Sequence, residues 1–392
     1  MNKFKLTPII LSSLVTSFLL VGCGSDSSSA PLTSTDTEGQ LVDSYIQNSD
    51  YYCADGSHGT TDKDGRFKCK GLPVTFKLGG LKLGEISKLA ADKQVFPQDL
   101  LGLNRTDTNN SKVIAMARFL QSCDEDNNSK NGLQIRQDIK ESLVVEEDFE
   151  SENIELYTQI TVGEEEAQEH LNETIELVES VNDADIPDSI KEGILTPNST
   201  ISQELKNTLS YMGNEERLAY DVYNKLYESH PDVKQLTNIA NNSERAHIKA
   251  VQLLIQKYIK DSSEFTNTDL EELHYRETEV ENMQAGVYDI SAIADLYDLL
   301  VAMGQESSQK ALEVGCIVEV TDINDLDHDI VIAEDENATD IVATFEFLRN
   351  GSYNHYWAFD KGLKNMGITD GCCSLGADYC HNEYPKNQHG RP

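Results

Sequence analysis

A glutamate and a histidine stand three positions apart at Glu244 and His247. In an α-helix this spacing places both side chains on one face, one turn apart. Helices of a bundle use the same spacing to present a carboxylate and an imidazole to a metal ion. The pair alone is weak evidence, because an acidic sequence contains such pairs by chance, and an ordinary surface pair is the alternative. Its chemistry depends on what other helices bring to the same place.

Three other stretches carry matching residue types. Glu216 borders an apolar stripe, and Glu319 lies inside an apolar run, with Asp322 one helical turn further on. A carboxylate in an apolar segment is costly unless it is paired or binds a metal. His355 lies among aromatic residues, and for that residue alone a core histidine is the alternative. The set as a whole predicts a buried two-metal site, with Asp322 as an additional ligand.

Long helices must position these residues. From residue 200 onward the apolar spacing predicts helices over 203–227, 233–259, 291–303, 308–326 and 339–363. Four of them are long, and a polar connection over 261–288 separates the second long helix from the third. Four main helices with one long crossover indicate a four-helix bundle of ferritin-like connectivity.

Four motifs follow one another in this part of the chain: Glu215-Glu216-Arg-Leu-Ala-Tyr-Asp-Val-Tyr, Asn238-Ile-Ala-x-x-Ser-Glu244-x-x-His247, Val314-Gly-x-Ile-x-Glu319-x-x-Asp322 and Gly351-Ser-x-Asn-His355. In order and spacing they resemble the ferritin-like family catalogued as domain of unknown function 2202, over residues 200–365. The resemblance implies a ferritin-like bundle and no particular substrate. It also implies metal positions at Glu216, Glu244, His247, Glu319 and His355.

One position departs from the pattern of di-metal ferritin-like proteins. A glutamate is expected three residues before the last histidine, and Ser352 stands there instead. Asp322 is the predicted replacement, and the alternative is that one metal alone binds tightly. Tyr220 and Tyr223 follow Glu216 by one and two turns. They are candidates for hydrogen bonding to the site, and ordinary packing is the alternative.

Carboxylates and imidazoles without a thiolate favour hard metals. We therefore predict two divalent metal ions, iron or manganese, in an oxidoreductase that oxidises iron or handles peroxide. Dioxygen or peroxide is then the small-molecule partner. The alternative function is non-enzymatic: a binding or adhesion protein of the cell envelope whose metal site is structural or vestigial. The formal charge of −36 excludes a nucleic-acid partner, because such a surface repels phosphates.

The start of the chain predicts export and lipid anchoring. Residues 1–22 join a basic start to an apolar run and a small-residue end, as export signals do. Leu20-Val21-Gly22-Cys23 resembles a bacterial lipobox, which implies lipidation of Cys23 and anchoring to the membrane. The alternative is an ordinary signal peptide. The glycine after Cys23 implies sorting to the outer membrane, and residues 23–40 predict a flexible tether.

The rest of the chain predicts a multi-domain α+β protein. Short segments rich in strand formers indicate a β-rich module over residues 41–180, ending in acidic helices. A linker over 181–199 precedes the all-α bundle at 200–365, and a cysteine-containing tail occupies 366–392.

Eight cysteines in an exported chain predict disulfides. Cys53 and Cys69 flank a hairpin turn and form one predicted pair. Cys316 is predicted to be a buried small residue.

The tail predicts one local disulfide, from Cys380 to Cys372 or Cys373, with Cys373 taken as the partner and one thiol left over. A zinc or copper site that uses His381 is the alternative.

Overall fold

The computed structural model describes residues 36–269, 275–276 and 278–386. The predicted signal peptide at 1–22 and the predicted lipidation site Cys23 lie outside these ranges. The tether predicted over 23–40 ends earlier than expected. Residues 36–40 already pair with a neighbouring strand, Thr37 with Cys69 and Gly39 with Phe67, so their backbone hydrogen bonds belong to a sheet.

Short strands with alternating burial occupy the N-terminal part of the described chain. They are β1 (Asp36–Leu41), β2 (Ile46–Gln47), β3 (Asp50–Cys53), β4 (His58–Thr60), β5 (Arg66–Lys70), β6 (Val74–Leu78), β7 (Leu81–Ile86), β8 (Gln94–Val95), β9 (Leu133–Gln134) and β10 (Glu147–Asp148). The largest sheet has the order β10-β7-β6-β3-β4; a second has the order β5-β1-β8, and β2 pairs with β9. The predicted β-rich N-terminal region is therefore confirmed.

Helices follow the strands and dominate the remainder. They are α1 (Pro97–Leu100), α2 (Ser111–Ser122), α3 (Gln137–Ser142), α4 (Ile154–Tyr157), α5 (Glu164–Asp183), α6 (Asp188–Ile194), α7 (Gln203–Ser229), α8 (Lys234–Asn238), α9 (Arg245–Tyr258), α10 (Ser291–Gly304), α11 (Ser308–Asp335) and α12 (Thr339–Asn365). Ser202 and Ser307 cap α7 and α11, and each side chain accepts a hydrogen bond from a backbone N–H three residues on.

Two helix boundaries differ from those predicted. The helix predicted over 233–259 is interrupted by the π-helical turn Ile239–Glu244 between α8 and α9. Helix α11 continues nine residues past the predicted end at Leu326, because Ile330 and Ala333 extend its buried stripe. The acidic residues between them hid this continuation in the sequence.

Residues 181–199, which the sequence predicts as a linker, contain helical structure. Helix α5 runs into this range, and α6 lies within it with Ile190 and Ile194 buried. Those two side chains share one apolar cluster with Tyr45 of the β-rich region and Leu205 of α7. From Asp36 onward the described residues accordingly form one compact unit rather than separate modules.

Four long helical segments pack side by side in the C-terminal part: α7, the segment from α8 to α9, α11 and α12. Helix α7 contacts α9 and α11, and α12 contacts α9 and α11. Helix α10 lies against α7 and α11. This arrangement determines which side chains meet in the interior.

The structure joins Cys53 to Cys69, between β3 and β5, and Cys373 to Cys380 in the tail. It also joins Cys316 to Cys372. Cys316 is buried, as predicted, but it has a disulfide partner, and the prediction of a leftover thiol in the tail is wrong. The tail packs against α11 closely enough to bring the two Cα atoms within 5.7 Å, a normal separation for a disulfide.

Among the described cysteines Cys123 is free, and it is buried. The unpaired thiol among the described residues thus lies in the β-rich region and not in the tail.

Candidate metal centre

Five side chains from the four long helical segments meet in the interior. Helix α7 supplies Glu216, α11 supplies Glu319 and α12 supplies His355. Glu244 ends the π-helical turn, and His247 follows in the first turn of α9. All five are at most 5% exposed. A π-helical turn at such a place is typical of functional sites, because it redirects side chains that a regular helix would aim elsewhere.

The five side chains form two groups that share Glu244. In the first group His247 Nδ1 lies 3.1 Å from Glu216 Oε2 and 3.0 Å from Glu244 Oε2. In the second, His355 Nδ1 lies 3.1 Å from Glu244 Oε1 and 3.2 Å from Glu319 Oε2. Within each group the potential ligand atoms lie within 4.8 Å of one another. The two imidazole rings stack, with centroids 5.6 Å apart.

Gly351 allows this close approach of α12 to α9. A Cβ atom at position 351 would lie 2.4 Å from both Cε1 and Nε2 of His247. Such a contact is far too short for two non-bonded atoms, so any larger residue would displace the imidazole or the helix. Phe347 packs edge-on against the same ring at 5.2 Å. Both residues hold His247 in its position between the carboxylates.

Burial penalises charge on each of these groups. It raises the pKa of Glu216 and of Glu319, although the neighbouring histidines act against it. Burial also acts against a charged Glu244, but His355 and His247 outweigh it and hold the pKa of this carboxyl well below its usual range. Burial would lower the pKa of His247 and of His355, yet the carboxylates on either side raise both. Each imidazole Nδ1 thus lies between two carboxylates that favour its charged form.

Asp322 and Ser352 lie next to the groups. The Ser352 hydroxyl lies 2.5 Å from Asp322 Oδ2. The serine that stands in place of the expected glutamate thus contacts the aspartate that is its predicted replacement. Asp322 belongs to neither ligand group, and its Oδ1 is buried without a hydrogen-bond partner. Burial and the charges of Glu216 and Glu319 raise the pKa of this carboxyl well above its usual range.

The two tyrosines after Glu216 differ. The Tyr223 hydroxyl donates a hydrogen bond to Glu319 Oε1, so this residue orients a predicted ligand. Tyr220 is partly exposed and packs at the edge of the apolar clusters.

Sequence reasoning missed Glu215. Its side chain is 3% exposed, and burial together with Asp322 and Asp325 raises the pKa of this carboxyl well above its usual range. The available signal was a pair of adjacent glutamates inside a long amphipathic helix, where one of the two is expected to face solvent. Here both are buried, because α7 is covered on two sides.

The tail is separate from this centre. His381 Nδ1 lies 2.8 Å from Glu383 Oε1, and its ring stacks on Tyr384. The zinc or copper site considered for His381 is wrong, because the tail cysteines Cys372, Cys373 and Cys380 are all in disulfides and no thiolate remains.

These features describe a class of protein in which helices enclose a buried set of carboxylates and imidazoles. The model of the family described as uncharacterized protein domain (DUF2202) matches residues 205–378, a range that contains every residue of the centre. MJ0754, an uncharacterized protein of Methanocaldococcus jannaschii, is 37% identical to the chain over 172 residues. That match spans 44% of this chain and 81% of the relative. The chain belongs to the DUF2202 family, as its four motifs predict.

A crystal structure of hypothetical protein MJ0754 from Methanococcus jannaschii DSM 2661 is similar at 35% sequence identity with a TM-score of 0.36. The likeness covers 44% of this chain and 86% of that chain.

Proposed function

We propose that the chain holds two divalent metal ions, iron or manganese, in a ferritin-like four-helix arrangement. One observation carries the proposal: the two carboxylate oxygens of Glu244 face different histidines, Oε2 towards His247 and Oε1 towards His355. A carboxylate in that position can bridge two ions, while each histidine and each outer glutamate serves one ion.

The donor set fits hard divalent cations. Oxygen and imidazole nitrogen are the ligands that iron(II) and manganese(II) accept, and no thiolate lies in either group. Glu216 Oε1 is buried without a hydrogen-bond partner, which is rare for a carboxylate oxygen unless it serves a ligand. Within the described ranges no lysine or arginine forms an ion pair with Glu216, Glu244 or Glu319. These three carboxylates carry a negative charge that divalent ions would neutralise.

The chain's own residues then have defined roles. Glu216 and His247 would hold one ion, Glu319 and His355 the other, and Glu244 both. An imidazole that holds an ion would be neutral, so His247 and His355 would have to give up any proton at Nδ1. Tyr223 keeps Glu319 in position through its hydrogen bond. Phe359 packs against the Tyr223 ring at 5.2 Å and helps to exclude water.

When bound, two iron(II) ions could supply the two electrons that, with two protons from solvent, reduce one hydrogen peroxide to two water molecules, and this is the chemistry we propose for the centre. We propose that the protein lies at the cell envelope, where a lipid attached at Cys23 anchors it. None of the helices in the described ranges has the length and apolar character needed to cross a bilayer.

The test is metal analysis of protein purified without chelator, with Glu244→Gln and the control Glu334→Gln. Glu334 is an exposed acid on α11, far along the helix from the centre. Wild type and the control should retain two equivalents of metal, and Glu244→Gln should lose both because the two groups share this residue. Wild type without metal, or a Glu244→Gln variant with full metal content, would overturn the proposal.

Iron(II) oxidation separates the two functions. A wild type that accelerates peroxide-dependent oxidation, while Glu244→Gln does not, supports the oxidoreductase. A wild type that binds metal and leaves the rate unchanged is the envelope binding protein with a structural metal.

A further inference from the structure

Acidic side chains continue along α11 beyond Glu319. Asp322, Asp325 and Asp329 follow at spacings of three, three and four residues, so all four lie on one side of the helix. Successive members are about one turn, or 5.4 Å, apart along the axis. Asp322 and Asp329 are buried and Asp325 is half-buried, and the exposed His328 hydrogen-bonds to Asp329. The row thus leads from the candidate centre towards the surface.

Helix α7 adds two polar side chains to the same row. Glu215 lies within electrostatic reach of both Asp322 and Asp325. Tyr211, one turn before Glu215, lies within electrostatic reach of Glu215, Asp325 and Asp329. The acids therefore line the contact between α7 and α11 as a continuous polar file.

Two oxygens in this file have no partner. Glu215 Oε2 and Asp322 Oδ1 are buried without a hydrogen bond, and both residues are at most 5% exposed. A purely structural polar network satisfies its buried atoms, because each unsatisfied one costs free energy. In the described part of the chain no lysine or arginine forms an ion pair with Glu215, Asp322 or Asp325. Unpaired carboxylate oxygens without a neighbouring lysine or arginine indicate a ligand that binds transiently.

We propose that Asp329, Asp325, Glu215 and Asp322 form a passage that delivers divalent cations from the surface to the candidate centre. Glu215, Asp322 and Asp325 provide a transient cation site along the way. This inference rests on the proposed function, because a passage needs a centre to supply. It adds a route and a set of residues that the centre itself does not require.

The occupant follows from the chemistry of the file. Carboxylate oxygens with one phenol and no sulfur favour a hard cation such as iron(II) or manganese(II). The chain's formal net charge of −36 attracts cations and repels anions at the entrance. A cation moves between sites one helical turn apart, so it need not cross apolar core.

The experiment uses the full chain after metal removal. Stopped flow measures the rate of cobalt(II) uptake through the visible absorption of bound cobalt. The variants are Asp325→Asn and Glu215→Gln, and the control is Asp335→Asn. Asp335 is an exposed aspartate at the end of the same helix and lies outside the file. We expect uptake to slow about tenfold in both passage variants, as removal of a steering charge does, and to stay unchanged in the control. Final cobalt content stays at two equivalents throughout.

Two failures are distinguishable. If wild type and passage variants fill to two equivalents at the same rate as Asp335→Asn, the passage is wrong and the centre stands. If wild type takes up no cobalt at the centre, the proposed function and the passage fail together. A passage variant that ends below two equivalents would place its residue in the centre itself and would also overturn the passage.

Discussion

Two buried polar clusters in the helical region balance their charge in different ways. Where α9 ends and α12 begins, Lys257 Nζ lies 2.5 Å from Asp340 Oδ2, and both side chains are at most 2% exposed. The Tyr258 hydroxyl donates to the same carboxylate at 2.9 Å. This cluster has one positive and one negative charge, and the carboxylate oxygens have partners. It needs nothing from outside the chain.

The candidate centre has no such balance. Three glutamates surround two imidazoles, so a negative charge remains even when both imidazoles are protonated. Glu215 and Asp322 add two further carboxyl groups nearby, each with a buried oxygen that lacks a partner. Burial of charge alone therefore does not identify a functional site. An excess of one sign, together with unsatisfied atoms of that sign, does.

The largest expected effect comes from breaking the balanced cluster. Asp340→Ala leaves the Lys257 ammonium buried and unpaired, so the free energy of unfolding should fall by about 3–5 kcal/mol. Urea denaturation measures the loss. Lys225→Ala is the control, because its pair with Glu228 is exposed to solvent and contributes little to stability. Manganese(II) should not restore the stability of Asp340→Ala. Restoration by manganese(II), or a loss no larger than that of Lys225→Ala, would remove the distinction between the clusters.

Much of the candidate centre is predictable because its signal is local. Glu244 and His247 show their spacing within one turn, and Glu319 and His355 stand in visibly apolar or aromatic surroundings. Helical periodicity also predicts where most of the long helices begin. These features depend on short-range rules, so a single sequence is enough to show them.

The parts that could not be predicted depend on tertiary contacts. Nothing near Cys316 indicates that the tail returns to pair Cys372 with it. The core shared by the β-rich region and α7 requires α5 and α6 to lie between them, and the acidic composition of that stretch favours an exposed linker instead. Glu215 is buried because α11 covers a second side of α7, and no periodicity of α7 alone shows this.

The β-rich region offers an intermediate case for the comparison. Asp43 is fully buried, no lysine or arginine of the described residues pairs with it, and the Gln121 side-chain amide lies 3.3 Å from both carboxylate oxygens. Burial raises the pKa of Asp43 to about 7, while Gln121 acts against this rise. A single buried carboxyl without a cationic partner thus favours its protonated, neutral form.

This shift predicts the sign of a pH effect. The folded state holds the Asp43 proton up to about pH 7, whereas the unfolded chain releases it near its ordinary pKa. The free energy of unfolding therefore falls as pH rises between these values. Asp43→Asn removes this dependence and should stabilise the protein by about 1–3 kcal/mol near pH 8, with little difference near pH 4. Urea denaturation at both pH values measures it, with the exposed Asp185→Asn as control. An equal effect at both pH values would contradict a buried, protonated Asp43.

The smallest effect concerns the residue in place of the expected glutamate. Ser352→Ala removes the hydroxyl that contacts Asp322 Oδ2, so the free energy of unfolding should fall by about 1 kcal/mol. The matched control is Ser210→Ala on α7. That hydroxyl is also buried but has no partner, so its removal should cost less or stabilise the protein. Equilibrium urea denaturation compares the two variants after metal removal.

The same variant decides to which kind of cluster Asp322 belongs. If Ser352→Ala lowers stability and leaves manganese(II) affinity unchanged, the serine satisfies Asp322 as Tyr258 satisfies Asp340, and Asp322 is part of the fold. If stability is unchanged and manganese(II) affinity falls, the hydroxyl orients Asp322 for a cation, and the serine compensates for the missing glutamate through its neighbour. Equal behaviour of Ser352→Ala and Ser210→Ala in both measurements would show that the contact at 2.5 Å contributes to neither. The contact between Ser352 and Asp322 would then affect neither the stability of the fold nor metal binding.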